Sequence, residues 1–326
     1  MIPRSSIVLA PLAGGPSTPE LAAAVSNADG LGFLAAGYLA PDVFAEQLRR
    51  LRELTRAPIG VNLFVVEYTA VDDDAVAAYA RELEPEARAR NVELGRPRFD
   101  DDWLAEKLEA IVRADVEVVS TTFGCLAPET VARLQDRGTR VWATVTAAHE
   151  ARAARDAGVD ALVVQGTEAG GHRGAWRDDS GATPLHELLS SIDVGLPLIA
   201  TGGIVDRDGV ATVLAAGARA AQVGTAFLLA PEAGTSEPHR RALRSGGETA
   251  FTRAFTGRTA RGIVNRFMVE HPGAPAAYPQ IHHLTAPLRA AARAAGDADG
   301  INLWAGVNYA RAEELPAAEI VAKLGA

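Results

Sequence analysis

A short apolar run, a loop and a helix-patterned stretch follow one another repeatedly along this chain. The runs are Ile7 to Ala10, Gly32 to Ala36, Ile59 to Val65, Val116 to Ser120, Arg140 to Val145, Asp160 to Val164, Leu198 to Ala200 and Ala220 to Val223. Most are apolar at successive positions rather than at every second one, which is the pattern of strands covered on both faces of a parallel sheet. Parallel neighbours need crossover connections, and the helical stretches supply them. Ser17 and Glu20 have capping-box spacing with Pro19 in the first turn, so a helix is predicted through Leu21, Ala24, Val25 and Ala28. A second begins near Pro41-Asp42 and keeps Phe44, Leu48, Leu51 and Leu54 on one face.

Eight such units, roughly 25–35 residues apart, fit a (β/α)8 TIM barrel, which takes about 250 residues. An open doubly wound sheet is the rival, because periodicity alone does not show closure. The rhythm changes twice. Residues 71–113 are acidic and read as two helices split at Gly95-Arg96-Pro97; after residue 228 the strands stop, and Arg240 to Asn265 and Leu284 to Ala295 read as helices. The expected class is α/β, with the barrel built from residues 1–228 and 303–326 and a small helical subdomain, 229–302, inserted after the eighth strand.

Composition removes several functions. Asp plus Glu number 41 against 32 Lys plus Arg, a net charge of −9, so nucleic acid is not an expected partner. A single cysteine, Cys125, excludes an intrachain disulfide framework and any CxxC motif, which suits the cytoplasm, and it reads as a small buried hydrophobe. No apolar run reaches the roughly 18 residues of a membrane span. Lys107 and Lys323 are the only lysines, both in charged helix-like segments, so no strand-end lysine is offered for Schiff-base chemistry. Asp72-Asp73-Asp74 and Asp100-Asp101-Asp102 read as solvated residues at helix N-termini, and His282-His283 lacks a partner at zinc-like spacing, so no metal is expected.

In a barrel the chemistry sits at the C-terminal ends of the strands. After the sixth strand come Gln165 and then Ala169-Gly170-Gly171-His172-Arg173-Gly174, where glycines let backbone approach a flat ligand and an imidazole can exchange a proton; the bland reading is a mobile loop with a solvated histidine. Thr201-Gly202-Gly203-Ile204 and Gln222-Val223-Gly224-Thr225 follow the seventh and eighth strands, each opening onto a helix, and can aim N–H groups at a phosphate; tight turns alone would also use those glycines. Asn62, in the apolar third strand, needs hydrogen-bond partners that either a ligand or a backbone carbonyl can provide.

Taken together, Pro11-Leu12-Ala13-Gly14-Gly15-Pro16, Gly60-Val61-Asn62-Leu63-Phe64, the Gln165 to Gly174 loop, Ala200-Thr201-Gly202-Gly203-Ile204, Gln222-Val223-Gly224-Thr225, Thr256-Gly257-Arg258 and Leu303-Trp304-Ala305-Gly306 resemble the nitronate monooxygenases, formerly 2-nitropropane dioxygenases. The resemblance implies FMN at the barrel mouth, a subdomain that covers the substrate, and oxidation of an anionic alkyl nitronate by O2 to a carbonyl compound and nitrite. It further implies that Ala13, Gly14, Asn62, Gln165, Gly170, Gly171, Gly202, Gly203, Gln222, Val223, Gly224 and Thr225 hold the cofactor and that His172 is catalytic, its imidazolium attracting the anion or its free base taking the α-proton of a nitroalkane. A homo-oligomer is compatible with it. Thr122 stands where some relatives carry histidine, Val307 where glutamine is frequent, and Tyr309 is expected to line the pocket instead. The rival functions are an FMN-dependent NAD(P)H:quinone or enoyl reductase on the same barrel and a cofactor-free sugar-phosphate barrel.

Overall fold

The computed structural model describes residues 6–178 and 181–325. In chain order the first elements are β1 (Ile7–Leu9), α1 (Pro19–Asn27), β2 (Gly32–Ala35), α2 (Pro41–Leu54), β3 (Ile59–Phe64), α3 (Asp73–Arg90), α4 (Leu104–Arg113), β4 (Val118–Thr122), α5 (Pro128–Gln135), β5 (Arg140–Val145), α6 (Ala148–Asp156) and β6 (Ala161–Gln165). There follow β7 (Gly171–His172), α7 (Leu185–Ser191), β8 (Leu198–Thr201), α8 (Arg207–Ala215), β9 (Ala220–Val223), α9 (Glu237–Ser245), β10 (Thr249–Thr252), β11 (Ala260–Ile263), α10 (Arg266–Glu270), α11 (Gln280–Ala294) and α12 (Ala317–Gly325).

Eight parallel strands run in the order β1-β9-β8-β6-β5-β4-β3-β2. The ring closes where Leu9 N donates to Leu31 O and Leu31 N to Ile7 O, at 2.9 and 3.0 Å, joining β1 to the residue before β2. This decides for a barrel over an open sheet. Side chains alternate along each strand. One set, including Ile7, Leu9, Val61, Leu63, Val119, Val141, Leu162, Val164 and Val223, packs outward under the helices. The other fills the interior in layers: Val8, Phe33, Val118, Trp142, Val163, Ile199 and Ala220 form an apolar plug. Gly60 makes room in it, since a Cβ there would lie 2.4 Å from Phe33 Cζ. Two residues further along the strands the interior turns polar, with Asn62 opposite Ser120, Gln165 opposite Thr201 and Thr201 opposite Gln222. The plug seals the lower end, so a ligand can enter only from above this polar layer.

Three local expectations are corrected. Thr18, not Ser17, caps α1, accepting from Leu21 N at 3.0 Å, because Pro19 at the first helical position sets the cap one residue before itself. Ser17 Oγ instead donates to Phe33 O and accepts from Ala35 N, tying the helix start to β2. The stretch 240–265 is not one helix: α9 stops at Gly246 (φ 78°), and β10 and β11 pair antiparallel with Thr249 opposite Ile263. β-Branched residues favour that pairing, and β7 extends the sheet with His172 opposite Ala260.

The third concerns Asp102 and Lys107, which are a buried ion pair at 2.7 Å, with Lys107 fully enclosed and Asp102 also accepting from Tyr38 N. Burial raises the Asp102 carboxyl to about 6 and lowers Lys107. Asp72, by contrast, caps α3 as expected.

Helix α3 leaves the barrel and packs Val76, Tyr79 and Leu83 against Phe255, Phe267, Ile281, Leu284 and Leu288 above the mouth. Glu86, Glu270 and His271 approach one another there, but Glu86 is matched by Arg90 and Arg266 at 2.7 and 2.5 Å, making an ion-pair seam between α3 and α10. Among the described residues no helix is long and apolar enough to cross a membrane.

Candidate active site

A cavity of about 380 Å³ opens at the C-terminal mouth of the barrel. It is lined by Ala13, Gly14, Asn62, Gln165, Gly170, Gly171, His172, Gly202, Gly203, Gln222, Gly224 and Thr225, so the expected site residues from five separate loops converge. Val223 does not line the cavity. The alternation that turns Gln222 inward turns its neighbour out into the helix layer.

The floor is made of neutral polar groups. Asn62 Nδ2 donates to Ser120 Oγ and Thr122 Oγ1 at 2.9 and 3.0 Å, so its partners are mainly side chains of β4. Gln165 is occupied with its own loop, accepting from Gly174 N at 2.6 Å and donating to His172 O at 3.1 Å. Gln222 Nε2 is buried with no hydrogen-bond partner among the described residues. Gly14 (φ 88°) and Gly171 (φ 76°) border open space, since a Cβ at either would find no atom within 4 Å. Gly202 and Gly203 have φ 128° and 69°, conformations closed to most side chains. After β9 a single 3-10 turn, Thr225–Phe227, stands where a longer helix was expected.

The roof carries the charge. His172 Nε2 lies 2.9 Å from Thr256 Oγ1, and its ring meets Phe123, Tyr278 and Trp304 with centroids 5.5–5.9 Å away. Burial, then the nearby Arg258 and Arg289, push its pKa down to about 3. Of the imidazolium and the free base that the sequence left open, these surroundings favour the neutral ring. Positive charge comes instead from Arg289, whose pKa burial lowers only to about 10. Its Nε donates to Thr285 Oγ1 and its Nη2 to His282 O, and among the described residues no carboxylate pairs with it. Arg258 lies over Phe123 with Cζ 4.0 Å from the centroid and donates to Ala175 O. His282 stacks on Tyr38 at 4.1 Å; burial and Arg289 push it down to about 2.

Arg289 and Tyr38 were not singled out from sequence, and Thr256, His282 and Trp304 were noted there without a role in the site. A signal existed for α11, where His282, Thr285 and Arg289 recur at helical spacing among Ile281, Leu284 and Leu288. Tyr309 does not line the cavity: its hydroxyl donates to Gly247 O in a separate apolar cluster. Burial raises the Cys125 thiol to about 11, which disfavours the nucleophilic thiolate.

A family model described as nitronate monooxygenase matches residues 1–326. The chain belongs to the nitronate monooxygenase family. A nitronate monooxygenase of Paraburkholderia phytofirmans is 38% identical over 98% of this chain and 90% of its own length. The nitroalkane oxidase structure from Streptomyces ansochromogenes superposes with a TM-score of 0.96 at 48% identity, covering 99% of this chain and 95% of that one. FabK from Thermotoga maritima shares the fold, with a TM-score of 0.75 at 24% identity over 99% and 92% of the two chains. In this nitronate monooxygenase family member, an oxidoreductase by that membership, the loop carrying His172 is seated by Gly170. A Cβ there would lie 2.4 Å from Ala305 C, so only glycine lets the 305–306 backbone approach so closely.

Proposed function

We propose that this protein oxidises alkyl nitronates with O2, giving a carbonyl compound and nitrite, with FMN held at the barrel mouth. The observation that carries the reading is the presence in one cavity of a neutral imidazole, His172, and a buried guanidinium, Arg289, without a carboxylate partner among the described residues. The residues present fit the cofactor. Gln222 Nε2 is an unpaired donor, the open backbone at Gly14 and Gly171 leaves room for a flat ring system, and Gly202, Gly203, Gly224 and Thr225 would take the single phosphate after the seventh and eighth barrel strands. Bound there, FMN supplies the redox chemistry.

This chain's own residues bind, orient and exclude water. Arg289 attracts and aligns the nitronate by charge-assisted hydrogen bonding. His172 adds no charge; its unprotonated nitrogen takes the α-proton when the substrate arrives as a neutral nitroalkane, and the resulting anion lies in reach of the guanidinium's field. Phe123 and Trp304 keep that part of the cavity apolar. The segment 229–302, joined by α3, serves as the cover over the substrate.

The test is spectral and then catalytic. The purified protein should absorb near about 370 and 450 nm, as flavins do, and should consume O2 and release nitrite with ethyl nitronate. A colourless protein favours the cofactor-free barrel. Rapid bleaching by NADH without nitrite release favours the reductase, and either result overturns the proposal.

A further inference from the structure

We infer that Thr256 is a positioning residue whose hydroxyl fixes His172 as the Nε2–H tautomer and so presents the Nδ1 lone pair to the substrate. The inference rests on the reading of His172 as the proton acceptor for nitroalkanes, and it adds which nitrogen acts and what selects it.

Thr256 Oγ1 lies 2.9 Å from His172 Nε2, 3.2 Å from Arg258 O and 3.4 Å from Arg258 N. A hydroxyl has one proton to give and two lone pairs to receive. Arg258 is buried, and among the described residues no other donor reaches its carbonyl. Turning the hydroxyl proton toward the imidazole would leave that carbonyl unpaired, and buried backbone acceptors are nearly always satisfied. The proton therefore goes to Arg258 O, and the oxygen's lone pairs face the imidazole and Arg258 N. Only an Nε2–H can then bond to Thr256. A neutral ring carries one proton, so Nδ1 is bare. No protein group among the described residues bonds to Nδ1, and the ring lines the cavity.

The Thr256-Gly257-Arg258 turn is shaped for this task. Gly257 has φ 75°, and a Cβ there would stand 2.4 Å from Ala277 O. Its N–H donates to Arg253 O at 2.8 Å, closing the turn that holds the hydroxyl under the ring. The imidazole is fixed from its own backbone as well, through Gln165 Nε2 on His172 O and the pairing of β7 with β11. In the step served, the α C–H bond breaks, the proton bonds to Nδ1, and the C–H electron pair moves into the nitro group to form the nitronate.

The experiment uses flavin-loaded protein with 15N-labelled histidine, in which loss of one signal in H172N assigns the ring. Wild type and T256S should show Nε2 protonated and Nδ1 bare. T256V should shift His172 toward Nδ1–H, and its turnover of nitroethane should fall about tenfold or more while preformed ethyl nitronate is affected less, since only the former needs the proton moved. T256S should recover most of the loss. If T256V fails to fold, T256C, with a weak thiol acceptor, serves in its place. A T256V protein that keeps Nε2–H, or that loses both substrates equally, overturns the inference. H172N turning over nitroethane at the wild-type rate would instead overturn the base role, while the tautomer signals would still report on Thr256.

Discussion

The floor of the cavity comes from alternate residues of parallel strands, whereas its roof comes from β7, the turn between β10 and β11, helix α11 and loop residues far apart in the chain. Asn62, Thr122, Thr144, Gln165, Thr201 and Gln222 on the floor are all uncharged at any ordinary pH. The roof holds His172, His282 and Arg289, with His239 at its edge. Backbone ladders hold the floor in register, and a neutral polar layer there can receive a ring system without discriminating by charge. On the proposed reading, selection by charge and proton transfer fall to the roof, whose titratable groups are kept buried by α3, β10, β11 and α11.

Acid should separate the two regions most strongly. His172, His282 and His239 are held at about 3, 2 and 4, chiefly by burial, against about 6.5 in an unfolded chain. Their folded values are depressed, so the unfolded state binds more protons below pH 6.5, and stability present above that pH is lost as pH falls toward 4. At pH 5 each histidine costs about 2 kcal/mol, from 1.5 units at about 1.4 kcal/mol per unit. Amide protection factors, which take out the intrinsic fall of exchange rate with pH, should drop in β10, β11 and α11 between pH 7 and 5 well before they do in β5 and β6. A uniform drop across the barrel would show that roof and floor are one cooperative unit.

His172→Ala comes next. Loss of a positioned proton acceptor should lower kcat/KM for nitroethane by about 10²- to 10⁴-fold, read as nitrite release, while flavin content stays near wild type because the floor is intact. A colourless variant would show that the roof holds the cofactor too. Arg289→Met should raise KM for ethyl nitronate roughly tenfold to a hundredfold, the worth of a hydrogen bond to a charged group at about 1.5–3 kcal/mol, and should leave the flavin dissociation constant unchanged. An unchanged KM would remove the guanidinium from substrate recognition.

The same division explains what could be read from residues alone. Barrel strands are apolar at consecutive positions, and glycines and amides at their ends mark the mouth, so the floor was legible apart from Val223. That residue was carried along with its motif, although strand alternation places Gln222 and Val223 on opposite faces. The roof was mostly illegible. Its residues come from positions 38, 256, 282, 289 and 304, and nothing local in the chain says that these meet. Arg240 to Asn265 looked helical because its arginines and alanines favour helix, but Gly246-Gly247 breaks it and β7 offers an edge to pair with. Asp102 and Lys107 looked like solvated charges because burial of an ion pair depends on what packs over it, here Tyr38 and Trp103.

The smallest effect tests the floor at its finest grain, through two consecutive residues of β9. Gln222 faces the cavity with an unpaired Nε2, and Val223 is enclosed among helix-facing side chains. Gln222→Leu removes a donor that no group among the described residues satisfies. It should weaken flavin binding a few-fold, about 0.5–1.5 kcal/mol for one hydrogen bond, and leave Tm level or slightly higher, because an orphaned buried polar group is gone. Val223→Ala should do the reverse: Tm falls as a small cavity opens in the core, and the flavin dissociation constant stays the same. Fluorescence titration with FMN and thermal melts of the apoprotein read the two quantities separately. If Val223→Ala weakens flavin as much as Gln222→Leu does, the strand's alternation is not what assigns residues to the site, and the layered account of the barrel interior fails with it.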